Sequence, residues 1–158
     1  MKIALFQPDM ATNVAAAIRL AACLALPVEI IEPCGFIWDE RRLRRVGMDY
    51  LNRTAVRRWP SWQAFDGARQ ADGQRLVLLT TKSGQPYHQA AFRRGDILLG
   101  GRESAGVPDE VHEQADLALN VPMAAGARSL NLVTSLAVVI GEALRQTDGF
   151  PKNDAETR

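Results

Sequence analysis

The sequence predicts an α/β fold, a mostly parallel sheet flanked by helices, and three observations carry that reading. Short apolar runs alternate with helical segments along the chain. One run, Leu76-Val77-Leu78-Leu79, is continuously apolar, as a strand covered on both faces requires. The runs end at proline or glycine, where a strand gives way to a loop. With 158 residues, 47% hydrophobic and 23% charged, the chain has the size and mixture of one globular domain. We assign residues 1–147 to that domain and expect the polar segment 148–158 to be a disordered tail.

The elements follow in order. Ile3–Phe6 is a strand stopped by Pro8. Thr12 or Asn13 can cap a helix through Leu24. Its faces are small and apolar almost all round, which predicts packing on two sides. Pro27–Ile31 is a second strand, and a basic helix around 39–46 follows, stopped near Gly47. Ser61 caps a helix over about 62–71. Arg75–Thr81 and Asp96–Gly100 are strands, and Pro108 starts a short acidic helix. Leu117–Val121 is the last of five expected strands, and a long helix runs from about Ser129 to Gln146. That helix carries Leu130, Leu132, Val133, Leu136, Val138, Val139, Ile140 and Leu144, more than one apolar stripe. A terminal helix needs only one, so a subunit interface is expected on the remainder.

Composition excludes several classes. The apolar runs are shorter than the ~20 residues of a membrane span. The N-terminus lacks the apolar region of a signal peptide. Cys23 and Cys34 make neither a disulfide framework nor a zinc site. A cytoplasmic protein with reduced thiols is expected. There is no GxGxxG, Walker A, HExxH or GxSxG sequence, and His88 and His112 lie far apart. No metal is therefore expected. Net charge is only +1, yet 16 of 19 basic residues are arginine. Residues 39–58 hold seven arginines against three acids, a surplus of +4. Such a face suits an anionic partner such as RNA, with a merely solvated helix as the competing reading.

Three segments could carry chemistry. In Asn13-Val14-Ala15-Ala16-Ala17-Ile18-Arg19, an arginine stands alone among apolar helix residues. It is either a snorkelling surface residue or a group held for an anionic partner. In Leu98-Leu99-Gly100-Gly101-Arg102-Glu103-Ser104-Ala105-Gly106-Val107-Pro108, a strand breaks into glycines that let backbone approach a ligand. In Val121-Pro122-Met123-Ala124-Ala125-Gly126-Ala127-Arg128-Ser129-Leu130-Asn131-Leu132, a small-residue loop leads to Arg, Ser and Asn at the mouth of the long helix. Ligands of open α/β sheets bind beyond the carboxyl ends of strands, so the three loops could converge on one pocket.

Together with IIEPCGF…RRLRRVGMDY at 30–50 and LTTK at 79–82, these loops make the chain resemble the SPOUT superfamily. This is the family of knotted S-adenosylmethionine-dependent methyltransferases. Within it, the resemblance is to the short bacterial enzymes that methylate the 2'-hydroxyl of the wobble nucleotide 34 of tRNA. The resemblance covers residues 1–147. It implies a deep trefoil knot near the C-terminus and a homodimer through the C-terminal helix. The cofactor would be S-adenosylmethionine, with S-adenosylhomocysteine as product. By the same resemblance the cofactor positions fall on Leu79, Thr80, Gly101, Gly106, Val121, Met123, Ser129 and Leu130. Arg19, Glu103, Ser129 and Asn131 match the catalytic motif positions. The chain departs from the family pattern at Ala15, where glycine is common, and at Arg102, where proline is. Ala105 replaces an arginine and Val133 a serine.

On this reading Arg19 orients the ribose hydroxyl and an adjacent phosphate, since an arginine is too weak an acid to serve as general base. Glu103 holds Arg19 or Arg128, while Ser129 and Asn131 orient cofactor or ribose. Arg41, Arg42, Arg44 and Arg45 bind RNA phosphates, and Tyr50, Trp59 and Trp62 are candidates to stack on bases. Another tRNA or rRNA ribose as substrate, or a catalytically silent RNA-binding relative, stays open from the sequence.

Overall fold

The computed structural model describes residues 1–41, 43, 50 and 52–152. Six strands form one sheet: β1 (Lys2–Phe6), β2 (Val28–Ile31), β3 (Val56–Trp59), β4 (Leu76–Leu79), β5 (Ile97–Gly100) and β6 (Leu117–Leu119). The order is β3-β2-β1-β5-β4-β6, and every pairing is parallel. Among the described residues four α-helices flank them: α1 (Ala11–Cys23), α2 (Trp62–Ala71), α3 (Asp109–Glu113) and α4 (Leu132–Thr147). The 3-10 turn at Tyr87–Gln89 is not foreshadowed by the sequence.

The sheet separates two apolar layers. On one side Ile3, Leu5, Val28, Ile30, Val77 and Leu98 pack with α1 and α4. On the other, Ala4, Phe6, Ile31, Leu76, Leu78 and Leu99 pack with α2 and α3. The period-two alternation of side chains makes this division, since each central strand sends successive residues to opposite faces.

Several boundaries differ from expectation. The sheet has six strands rather than five, because Val56-Arg57-Arg58-Trp59 pairs with β2 along its whole length. Its two central residues are exposed arginines, tolerated on an edge strand that is hydrogen-bonded from one side only. Trp59 and Trp62 are core rather than RNA-facing. Both are buried, Trp59 donating Nε1–H to Glu29 at 2.7 Å and Trp62 to Gln114 at 2.6 Å. α1 begins at Ala11 with no side-chain cap, so neither Thr12 nor Asn13 caps it. The long helix starts at Leu132, and its cap is Asn131, not Ser129. Asn131 Oδ1 accepts from Val133 N at 2.9 Å and Thr134 N at 3.2 Å. Ser61 does cap α2, accepting from Ala64 N at 3.2 Å. Half of the expected helix at 39–46 and the end of the tail lie outside the described residues; residues 40, 41 and 43 are helical.

α4 buries Leu136, Val139, Ile140, Ala143 and Leu144 within this chain. Val138 stays 37% exposed, and Val133 and Ala137 are half-buried. The second apolar stripe therefore has no complete cover in the single chain.

Candidate functional site

A cavity of about 360 Å³ opens beyond the carboxyl ends of β4, β5 and β6. Its volume lies within the range usual for small-ligand sites. The loops after β5 and β6, both singled out in the sequence, build much of its wall. Leu79 and Thr80 come from the end of β4, Gly101 and Gly106 from the loop after β5, and Val121 and Met123 from the loop after β6. Ser129 and Leu130 close it ahead of α4, and Asn13 of α1 joins the lining. All eight positions proposed for the cofactor thus line one cavity, as do Glu103 and Asn131.

The loop after β5 is shaped by its glycines. Arg102 N donates to Gly106 O at 2.9 Å, and Gly106 N returns to Arg102 O at 2.8 Å, closing the loop on itself. Gly106 has φ +67°, a conformation that glycine adopts without steric cost. At Gly101 the issue is space: a Cβ there would stand 2.8 Å from the carbonyl carbon of Gly106.

A polar chain ties this loop to the start of α1 and to the cap of α4. The Asp9 carboxylate accepts from Ser104 N at 3.0 Å, Ser104 Oγ at 2.6 Å and Arg102 Nη2 at 3.0 Å. The Ser104 hydrogen bonds, and then Arg102, hold the Asp9 carboxyl below its ordinary value. Glu103 accepts from Asp9 N at 2.8 Å and from Asn13 Nδ2 at 2.8 Å. Asn13 Oδ1 in turn accepts from Asn131 Nδ2 at 3.2 Å. Glu103 is therefore committed to Asp9 and Asn13, and not to Arg19 or Arg128 as expected. Both the oxygen and the nitrogen of the Asn131 amide are hydrogen-bonded, which ties the start of α4 to α1.

Arg19, the remaining position expected to be catalytic, lies elsewhere. Arg19 is exposed on α1 and does not line the cavity; its guanidinium sits 5.3 Å from the centre of the Tyr50 ring. It lies six positions on from Asn13, a rise of about 9 Å and a turn well away from the cavity face. Of the arginines proposed to hold RNA, Arg41 is exposed, and Arg42, Arg44 and Arg45 lie outside the described residues. Sequence reasoning missed Asp9, whose only signal is an acid directly after the strand-ending Pro8. Arg102, a departure from the family pattern, pairs with this same Asp9.

The cavity suits the proposed cofactor. Backbone-lined walls at Gly101 and Gly106, apolar Leu79, Val121 and Leu130, and a carboxylate at Glu103 match an adenosyl group and a cationic sulfur. Among the described residues, no group of three or more His, Cys, Asp or Glu is placed to hold a metal. None of the described helices is long and apolar enough to cross a membrane.

Cys34 belongs to a different part of the surface. Burial first, and then the negative charge of Glu32, push its thiol up to about 11, with Arg58 opposing. At pH 8 iodoacetamide should therefore modify the exposed Cys23 well before Cys34, as read by mass spectrometry. Equal rates would contradict this assignment.

A parallel sheet with a glycine-cradled cavity at its carboxyl end defines an α/β protein built to hold a small ligand there. The chain belongs to the SpoU rRNA Methylase family, which it matches over residues 1–141. It is 47% identical to the tRNA (cytidine(34)-2'-O)-methyltransferase of Ancylobacter novellus over 152 residues, 96% of each chain. It is 41% identical to the enzyme of the same name from Escherichia coli (strain K12), again over 96% of each chain. A solved structure described as giving structural insights into the 2-OH methylation of C/U34 on tRNA superposes with TM-score 0.86. That chain is 36% identical, with 92% of this chain and 94% of that one covered. The AdoMet complex of AviRb from Streptomyces viridochromogenes shares the fold at TM-score 0.80 and 24% identity, covering 92% of this chain and 57% of that one.

Proposed function

We propose that this chain transfers a methyl group from S-adenosylmethionine to the 2'-hydroxyl of nucleotide 34, C or U, in the anticodon loop of tRNA. The observation that carries the reading is the cavity closed by the strand-end loops, in a chain of this family with relatives of that activity along nearly its full length. S-adenosylmethionine supplies an electrophilic methyl group, and S-adenosylhomocysteine is the product.

The protein has to hold the cofactor, align the ribose oxygen and stabilise the charge that develops on it. Backbone at Gly101 and Gly106, with Leu79, Thr80, Val121, Met123, Ser129 and Leu130, holds the adenosyl and methionyl parts. Glu103 presents a carboxylate to the cavity and fixes the loop before α1, while Asn131 fixes α4. Arg19 orients the hydroxyl and stabilises its developing negative charge. Because Arg19 stands outside the cavity of its own chain, it serves the cavity of a second copy. This agrees with a homodimer through α4, whose Val133, Ala137 and Val138 are left incompletely covered. A trefoil knot formed by the C-terminal segment belongs to the same reading. Its support is that α4 returns from β6 to pack on α1 and the central strand β5. The protein acts in the cytoplasm, on RNA held by Arg41, Arg42, Arg44 and Arg45. No step is given to a metal.

The test is transfer from labelled S-adenosylmethionine to total tRNA, followed by mapping of the modified nucleotide. The expected product is a 2'-O-methyl group at position 34. Transfer only to another ribose, or binding of the cofactor with no transfer to any RNA, would overturn the reading.

A further inference from the structure

The loop that follows β2 carries a feature with no part in the cavity described above. Glu32, Pro33, Phe36, Trp38, Arg58 and Pro60 line a second cavity of about 360 Å³. The rings of Phe36 and Trp38 stack with centroids 6.2 Å apart and planes 23° from parallel. The Arg58 guanidinium lies 4.6 Å from the centre of the Trp38 ring, and its Nε donates to Glu32 Oε1 at 2.9 Å. Ile37, between the two aromatic residues, is 91% exposed. An aliphatic side chain so fully in water gains by being covered. Around it Arg41 and Arg58 are exposed together with Asp39 and Glu40, while Arg57 lies over the Trp59 ring on the other face of the sheet.

The loop is also fixed relative to the cofactor cavity. Gly35 N donates to Pro8 O at 2.9 Å, and a Cβ at Gly35 would lie 2.9 Å from Asp9 Cα. Asp9 holds Arg102 and Ser104 of the loop after β5. A ligand on the aromatic pair would therefore sit at a set distance from the cavity. Buried Trp59 and Trp62 are closed to stacking on a base, so among the tryptophans this role falls to Trp38.

We propose that Phe36, Ile37, Trp38 and Arg58 form a stacking subsite for one unpaired nucleobase of the RNA, a neighbour of the nucleotide that is methylated. The proposal rests on the tRNA reading given above. Aromatic faces and a guanidinium plane are what an unstacked base requires. A purely apolar ligand would make no use of the guanidinium. The subsite is a platform for a base rather than a place of chemistry.

The test compares Trp38→Leu, which keeps apolar bulk, with Trp38→Phe, which keeps a ring. Direct binding of tRNA, KM for tRNA and affinity for S-adenosylmethionine are measured for each. Trp38→Leu should weaken tRNA binding and raise KM by about tenfold, the usual effect of one stacked base. Trp38→Phe should stay within about threefold, and cofactor affinity should not change in either. With the wild-type protein, anticodon loops made abasic one position at a time should show a loss of similar size at one neighbour of nucleotide 34. That loss should vanish in Trp38→Leu. Unchanged tRNA binding in Trp38→Leu, equal losses in both variants, or abasic losses that persist in Trp38→Leu would each overturn the subsite. Failure of the wild-type protein to methylate position 34 would instead overturn the reading beneath it, and the binding arm reports on the platform separately.

Discussion

Replacing Arg19 with alanine should lower methyl transfer by about 10²–10³, the usual cost of removing one preorganised electrostatic donor. Affinity for S-adenosylmethionine should stay as in the wild type, because Arg19 is exposed on α1 and touches no wall of the cavity. Folding should change little as well, since the substitution removes only a surface cation–π pair with Tyr50, worth about 0.5–1 kcal/mol. Together these outcomes separate a group acting on the ribose from one that holds cofactor or core. A second result follows from where Arg19 stands. On the proposed dimer, Arg19→Ala protein mixed with a variant whose cavity is destroyed should regain activity, because a hybrid pair would contain one intact cavity facing one intact Arg19. Random exchange of subunits would give about a quarter of wild-type activity. Near-full activity of Arg19→Ala alone would remove it from the mechanism, and absence of recovery on mixing would place its action within one chain.

The cavity-destroying variant is Gly101→Ala. The added Cβ would meet Gly106 at 2.8 Å from its carbonyl carbon, 3.0 Å from its Cα and 3.1 Å from its oxygen. All three are backbone atoms, so no side chain can swing aside. The paired hydrogen bonds between Arg102 and Gly106 would have to open, carrying Glu103 and Ser104 away from Asp9. Cofactor affinity should fall by about 100-fold or more, since two charge-assisted contacts of ~1.5–3 kcal/mol each are disturbed. The fold itself should survive, with an overpacking cost of about 1–3 kcal/mol and a melting temperature lower by several degrees. Gly84→Ala is the control, because a Cβ there meets nothing within 4 Å. Calorimetric titration with S-adenosylmethionine reads both, and wild-type affinity in Gly101→Ala would show that the loop after β5 does not hold the ligand.

How much of this is legible in the sequence depends on whether the deciding interaction is local. The central strands are, because a strand covered on both faces has to be apolar at every position, and Leu76–Leu79 is. The edge strand β3 is not. Arg57 and Arg58 face water, and nothing in four residues with exposed charges at the middle distinguishes them from loop. The cavity walls are legible through glycine, whose use at Gly101 and Gly106 answers a local demand for close approach or positive φ. Which residue caps α4 is not, since Ser129 and Asn131 carry equally suitable oxygens. The choice is favoured by Asn131 also reaching Asn13, far away in the sequence. Asp9 is hidden for the same reason: its partners Arg102 and Ser104 lie 93 and 95 residues further on. Trp59 and Trp62 mislead because a basic neighbourhood says nothing about which way a ring turns, and both turn into the core.

The polar chain through Asp9, Glu103, Asn13 and Asn131 has a consequence for how the protein is made. Its links join residues up to 118 positions apart. Contacts of that separation form late, after the intervening chain has been ordered. On the ribosome, the β1–α1 unit emerges long before the residues that complete the polar chain, and the last cavity wall emerges only with Ser129–Ser135. A nascent chain short of that point has strands to pair but no closed place for a ligand. The ligand therefore cannot act as a template during synthesis; it stabilises by mass action only the finished molecule. Abundance of the methyl donor would then govern how long the mature protein survives rather than how many chains reach maturity.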